Sequence, residues 1–138
     1  MSTLALSPVS AAVYGVLSGD ATLSALVGGR IYDDVRQAAT YPYLWYEVRE
    51  RDVRGFGDGA LPEVEVRLHA FSSYRGAKET QDILNRCLTL LKDQPLTVSG
   101  FTQAGRVVYD ETVTLPDEDI NGVKVRELVA LFRVWVEA

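Results

Sequence analysis

Apolar residues recur first at three- and four-residue steps and then at every second position, so the order of elements is legible before any chemistry is considered. Val9, Ala12, Val13, Val16 and Leu17 share one face of a helix. Ser7 is placed to cap it and Pro8 to occupy its first position, where a missing N–H costs nothing. Gly19 is expected to stop the helix in a left-handed conformation. Asp20 is expected to cap a second, short helix over Ala21–Val27 that ends at Gly28-Gly29. A short strand at residues 30–33 follows, then a loop over 37–41 in which Pro42 keeps Tyr41 extended.

From Tyr43 the period becomes two. Leu44, Tyr46 and Val48 face one way, Trp45, Glu47 and Arg49 the other, and the strand is expected to run on to Val53. Residues 55–60, Gly-Phe-Gly-Asp-Gly-Ala, read as a loop. After Pro62, Val64, Val66, Leu68 and Ala70 alternate with Glu63, Glu65, Arg67 and His69, which completes an extended hairpin. Ala77, Thr80, Leu84, Cys87, Leu88 and Leu91 then form the stripe of a long helix, widened by Ile83 and Leu90. Lys78, Asp82 and Arg86 lie outside that stripe at four-residue spacing, as surface ion pairs.

Residues 96–99 read as a short strand and residues 106–114 as another, with Val107, Tyr109, Glu111 and Val113 on one face and Val108, Asp110, Thr112 and Thr114 on the other. Residues 115–122 read as an acidic loop. Residues 125–136 form the last strand, apolar on both faces around Leu128 to Phe132, as in a central strand covered on both sides. These elements predict an α+β fold: a mainly antiparallel sheet of about five strands packed on one long helix, with an N-terminal helical hairpin. No repeat or linker divides the chain, so residues 1–138 are expected to form one domain.

Composition narrows the function. With 47% hydrophobic and 24% charged residues the 138-residue chain has the balance of a globular protein. No apolar run reaches the roughly 20 residues of a membrane helix, and the first residues are not expected to act as a secretory signal. The net charge of −5 disfavours broad capture of nucleic acid. One cysteine and one histidine exclude an internal disulfide and a Cys/His zinc site.

Candidate chemistry is sparse. The glycine loop matches a G-x-G-x-x-G/A phosphate motif loosely, but a proline and a strand follow where a helix N-terminus is needed. His69 is the one available general base, with Asp33 or Glu65 as candidate carboxylates for a small α+β enzyme, yet no nucleophile stands at a known spacing from it. Cys87 lies in the apolar helix stripe, the setting of an inert thiol. Asp33-Asp34 and Asp117-Glu118-Asp119 carry oxygen ligands but lack the calcium-loop pattern, so no catalytic, metal or cofactor residues are assigned. Interface residues are better candidates. Trp45 and Trp135 sit on strands whose two faces both carry large aromatics; either the N-terminal helices cover the second face or it meets another subunit. Arg51, Arg54 and Phe56 place favoured interface side chains on and beside the glycine loop, between 51 and 61.

The order of motifs carries a resemblance. Val13-Tyr14-Gly15-Val16-Leu17 leads into the segment from Gly19 to Tyr32, with Asp20-Ala21-Thr22-Leu23 near its start and Gly28-Gly29-Arg30-Ile31-Tyr32 at its end. Then come Tyr41-Pro42-Tyr43-Leu44, the strand from Val64 to Phe71, Ser72-Ser73-Tyr74-Arg75-Gly76 before the long helix, and Leu96-Thr97-Val98 after it. The chain resembles the tail-terminator, or tail-completion, family of long-tailed bacteriophages from Val13 to the final strand. The resemblance implies a structural virion protein without catalysis or cofactor. It implies a homo-oligomer, a hexameric ring at the head-proximal end of the tail, assembled in the host cytoplasm. Such a ring caps the tail-tube protein, stops tube growth and meets the head-tail connector protein, while DNA passes through its lumen without specific binding and no membrane is involved. The competing readings are a head-side connector or neck protein, a chromosomal adaptor domain and the His69 enzyme.

Overall fold

The computed structural model describes residues 4–34, 40–52, 62–74 and 76–137, the side chains of Arg51 and Asp52 excepted. In order these form α1 (Leu6–Ser18), α2 (Ala21–Val27), β1 (Ile31–Tyr32), β2 (Tyr43–Asp52), β3 (Pro62–Ser72), α3 (Lys78–Leu91), β4 (Thr102–Gln103), β5 (Val108–Thr114), β6 (Glu118–Ile120) and β7 (Val123–Glu137). The α+β class is as expected. The sheet is larger and mixed: seven strands in the order β1-β2-β3-β7-β4, with β5 and β6 also paired to β7. β1 runs parallel to β2, and the other pairs are antiparallel.

Strict alternation in β2 and β3 builds the expected hairpin, whose register places Leu44 opposite Ala70 and Arg51 opposite Glu63. β7 lies beside β3 over ten residue pairs and carries β6, β5 and β4 in turn along its length. Leu44, Tyr46, Val64, Val66, Leu68, Ala70, Leu128, Ala130, Phe132, Val134 and Val136 all point to one face. There they meet Val9, Val13 and Leu17 of α1, Leu23 and Val27 of α2, and Ile83, Leu84, Cys87 and Leu91 of α3. Three helices therefore cover this face, where one long helix was expected, and among the described residues β7, expected to be covered on both sides, has helices on one side only. No helix among the described residues is long and apolar enough to cross a membrane; α1 and α2 meet at an 85° bend.

Local departures have identifiable causes. α1 starts at Leu6, ahead of Ser7, and its side-chain support comes from β2: Glu50 Oε1 accepts from the Ala5 N–H at 2.7 Å. Gly19 is right-handed, with φ −78°, and is needed because a Cβ there would lie 2.9 Å from the Gly15 carbonyl. Asp20 caps α2 as expected, accepting from the Leu23 N–H at 2.8 Å, and the helix ends at Gly28 with φ 61°. The Tyr41–Pro42 bond is cis, and Arg30 closes that turn by donating to the Pro42 carbonyl at 2.9 Å.

Residues 96–99 are not a strand. Leu96 and Val98 are buried, but the Leu96 N–H donates to the Gln103 side chain and the ladder forms at Thr102–Gln103 instead. A bulge between Tyr109 and Glu111 breaks the expected alternation in β5. Tyr109 turns to the helix-covered face beside Phe132, while Glu111 and Val113 stand opposite Leu131 and Val129 on the other. The expected acidic loop is partly a hairpin: Asn121 and Gly122, with φ 52° and 80°, form a tight turn joining β6 to β7.

Candidate interaction surface

The face of the sheet turned away from the helices carries the polar and aromatic side chains of the alternating strands. Across it run the registered rows Trp45–His69–Val129–Val113 and Glu47–Arg67–Leu131–Glu111. No described helix lies over them, so they seal one another. Trp45 stacks on the His69 ring at 4.2 Å between centroids, and its Nε1 donates to the Asp33 carbonyl at 3.3 Å. Tyr43 stacks on Phe71 at 4.7 Å and is flanked by Tyr32 and Tyr41. Burial and the neighbouring Tyr41 push its phenol up to about 12. Arg133 lies over Trp135 at 5.1 Å and pairs with Asp110 at 2.7 Å.

His69 is the hub of this face. Its Nδ1 lies 2.6 Å from Glu127 Oε2 and its Nε2 2.9 Å from Glu47 Oε1. Burial lowers its pKa, but the hydrogen bonds and charges of Glu127 and Glu47 outweigh burial and leave it raised. Its carboxylate partners are thus not the Asp33 or Glu65 expected from sequence, and Glu65 binds Arg67 at 2.6 Å. The two carboxylates sit at opposite nitrogens of one ring, an arrangement that orders strands and leaves neither nitrogen free to act as a base. No described group of three or more His, Cys, Asp or Glu side chains is placed to hold a metal ion.

The other candidates fall elsewhere. Cys87 is buried among α3 contacts, and burial pushes its thiol up to about 12. Asp117 pairs with Arg126 at 3.1 Å and stands 3.8 Å from Lys124, at the rim of a cavity of about 280 Å³ lined also by Ser73, Tyr74 and Gly76. Lys78 pairs with Asp82 at 2.7 Å as expected, whereas Arg86 reaches across to Asp20 at 2.7 Å instead of along its own helix. Of the five interface candidates, Trp45 and Trp135 share the helix-free face. The Arg51 backbone closes the same end of β2 opposite Glu63, and its side chain, like Arg54, Phe56 and the whole glycine loop, lies outside the described residues.

The overall fold is shared with known proteins. The tail completion protein gp17 family matches residues 11–137. The chain belongs to this family of phage tail proteins. A chain in the virion of a native gene transfer agent particle has the same fold, with TM-score 0.78 and 22% identity, over 99% of this chain and all of that one. The gp17 protein of bacteriophage SPP1 superimposes with TM-score 0.61 and 21% identity over 98% of this chain and 93% of that one. No curated protein sequence matches the chain. As a tail completion protein, it is a structural component of a virion tail.

Proposed function

We propose that this tail completion protein acts as a single 138-residue domain that assembles into a hexameric ring at the head-proximal end of the tail. The ring caps the last tail-tube subunits, stops tube growth and offers the surface on which the head-tail connector docks. The observation that carries this reading is the family match over residues 11–137. The helix-free face, with Trp45 and Trp135, and the hairpin end, with Arg51, Arg54 and Phe56, are the contact surfaces. Both carry, in sequence, aromatic and arginine residues of the kind enriched at interfaces. A catalytic role has little support, since His69 has both nitrogens occupied by carboxylates and the Cys87 thiol is buried. The net charge of −5 suits a lumen through which DNA slides without being held.

The test is to remove the gene from particle-producing cells and image the products. The reading expects tails of uncontrolled length that fail to join filled heads. Tails of normal, capped length beside leaking or unjoined heads would instead assign the protein to the head-side neck. Re-supplying an Arg54→Ala/Phe56→Ala variant of unchanged thermal stability should not restore tail length if the hairpin end makes contact.

A further inference from the structure

Each ring nitrogen of His69 lies within hydrogen-bond distance of a carboxylate, at 2.6 Å and 2.9 Å. A carboxylate only accepts, so both contacts are hydrogen bonds only when both nitrogens carry protons. A neutral imidazole has one N–H and would leave one nitrogen lone pair facing an anionic oxygen. The three residues come from three strands: Glu47 from β2, His69 from β3 and Glu127 from β7. Trp45 closes over the ring at 4.2 Å, which favours a cation beneath it and keeps the residue only 8% exposed.

The geometry points to a protonation clip: His69, held as an imidazolium between Glu47 and Glu127, ties β2, β3 and β7 together across the helix-free face, and its deprotonation releases that tie.

The surroundings set the direction of the effect. From β2, Tyr43, Trp45 and Glu47 face the ring, and from β7, Glu127 and Val129 do. On β3 itself the flanking residues of the same face are Arg67 and Phe71. Arg67 is bound to Glu65 at 2.6 Å and stands 4.0 Å from Glu47, so one cation opposes two anions at the clip. Val113 of β5 ends the row and adds no charge. His69 therefore has a raised folded-state pKa. A raised histidine pKa gives stabilisation that is complete below the unfolded value, about 6.5, and is lost as pH rises through the folded value. The clip is closed below the unfolded value of about 6.5 and opens as pH rises through the higher folded one.

The chain has one histidine, so its ring signals in NMR of the ¹⁵N-labelled full-length protein need no assignment. The expected result is two protonated ring nitrogens at about pH 6 and a titration midpoint above the ordinary value of about 6.5. A neutral tautomer at that pH, or a midpoint at or below the ordinary value, overturns the proposal. Glu47→Gln and Glu127→Gln should each lower the midpoint by about one unit or more, because each removes an adjacent negative charge; an unmoved midpoint in either contradicts the clip. Thermal melts of the unaltered protein should show a fall in Tm as pH passes the same midpoint. His69→Gln should lack that step, and its persistence would assign the step to another group. Should a variant fail to fold, the wild-type ring signals decide alone.

Discussion

The two faces of the sheet are built from alternate residues of the same strands, yet they are sealed by different physics. On the helix-covered face Val64, Leu68, Ala130 and Phe132 are closed off from water by apolar side chains of three helices. On the other face Glu63, His69 and Val129 are nearly as buried, but among neighbouring residues of the sheet rather than beneath helices. Burial on the first face is non-directional, so it tolerates reshaping that preserves volume. Burial on the second depends on paired charges and stacked rings whose geometry must be kept. A surface of that second kind is ordered without being covered. It can meet a partner at little cost in ordering.

The sharpest way to break this comparison is at Leu84, which is 2% exposed at the centre of the α3 stripe. Leu84→Asp should give mostly insoluble protein, since an unpaired carboxylate would enter the core. Leu84→Ala should cost about 2–5 kcal/mol in denaturant titrations, from lost transfer energy plus the remaining cavity. On the opposite face Arg133→Ala should cost no more than about 1 kcal/mol in the same titration, because it removes a partly exposed ion pair. Equal losses at the two positions would abolish the distinction.

A subtler effect is expected where the helices meet one another. Asp20 caps α2 and is gripped twice by Arg86 of α3, at 2.8 Å and 2.7 Å. The Arg86 hydrogen bonds, and then the Leu23 amide, hold its carboxyl down to about 2. A depressed folded value means that this stabilisation is present above the unfolded pKa, near 4, and is lost as pH falls through the folded one. Asp20→Asn should therefore lower Tm at neutral pH and flatten the decline between about pH 4 and pH 2. The smallest effect is the chelator control. Tm should be the same with and without a strong chelator, as no described cluster links metal to folding, and a drop of several degrees would direct attention to Asp117 or Asp33.

Much of the fold was legible because strand alternation and helix stripes are direct consequences of side-chain period. The alternating faces of the hairpin strands between Tyr43 and Ser72, the cap at Asp20 and the buried stripe of α3 follow from local residues alone. The bulge at Tyr109 was not legible, since one inserted residue leaves composition unchanged while exchanging faces. The Asn121-Gly122 turn was legible in principle, but three acidic residues before it read as loop. The histidine clip was hidden for a different reason. Its carboxylates lie 22 and 58 positions away from His69, and only the pairing of β2 and β7 to β3 brings them together. Trp45 and Trp135 were found as aromatics on strands, while their common face depends on that same register.

The central claim, that the helix-free face and hairpin end complete a tail by forming a ring, is tested most directly by imaging the head-proximal end of the intact tail at side-chain resolution. The account predicts six copies of this chain around the tail axis, seated on the last tube subunits, with Trp45 and Trp135 and the 51–61 segment buried at contacts. A tail end without the chain, or a ring in which those residues face solvent while the helix layer makes the contacts, would contradict it.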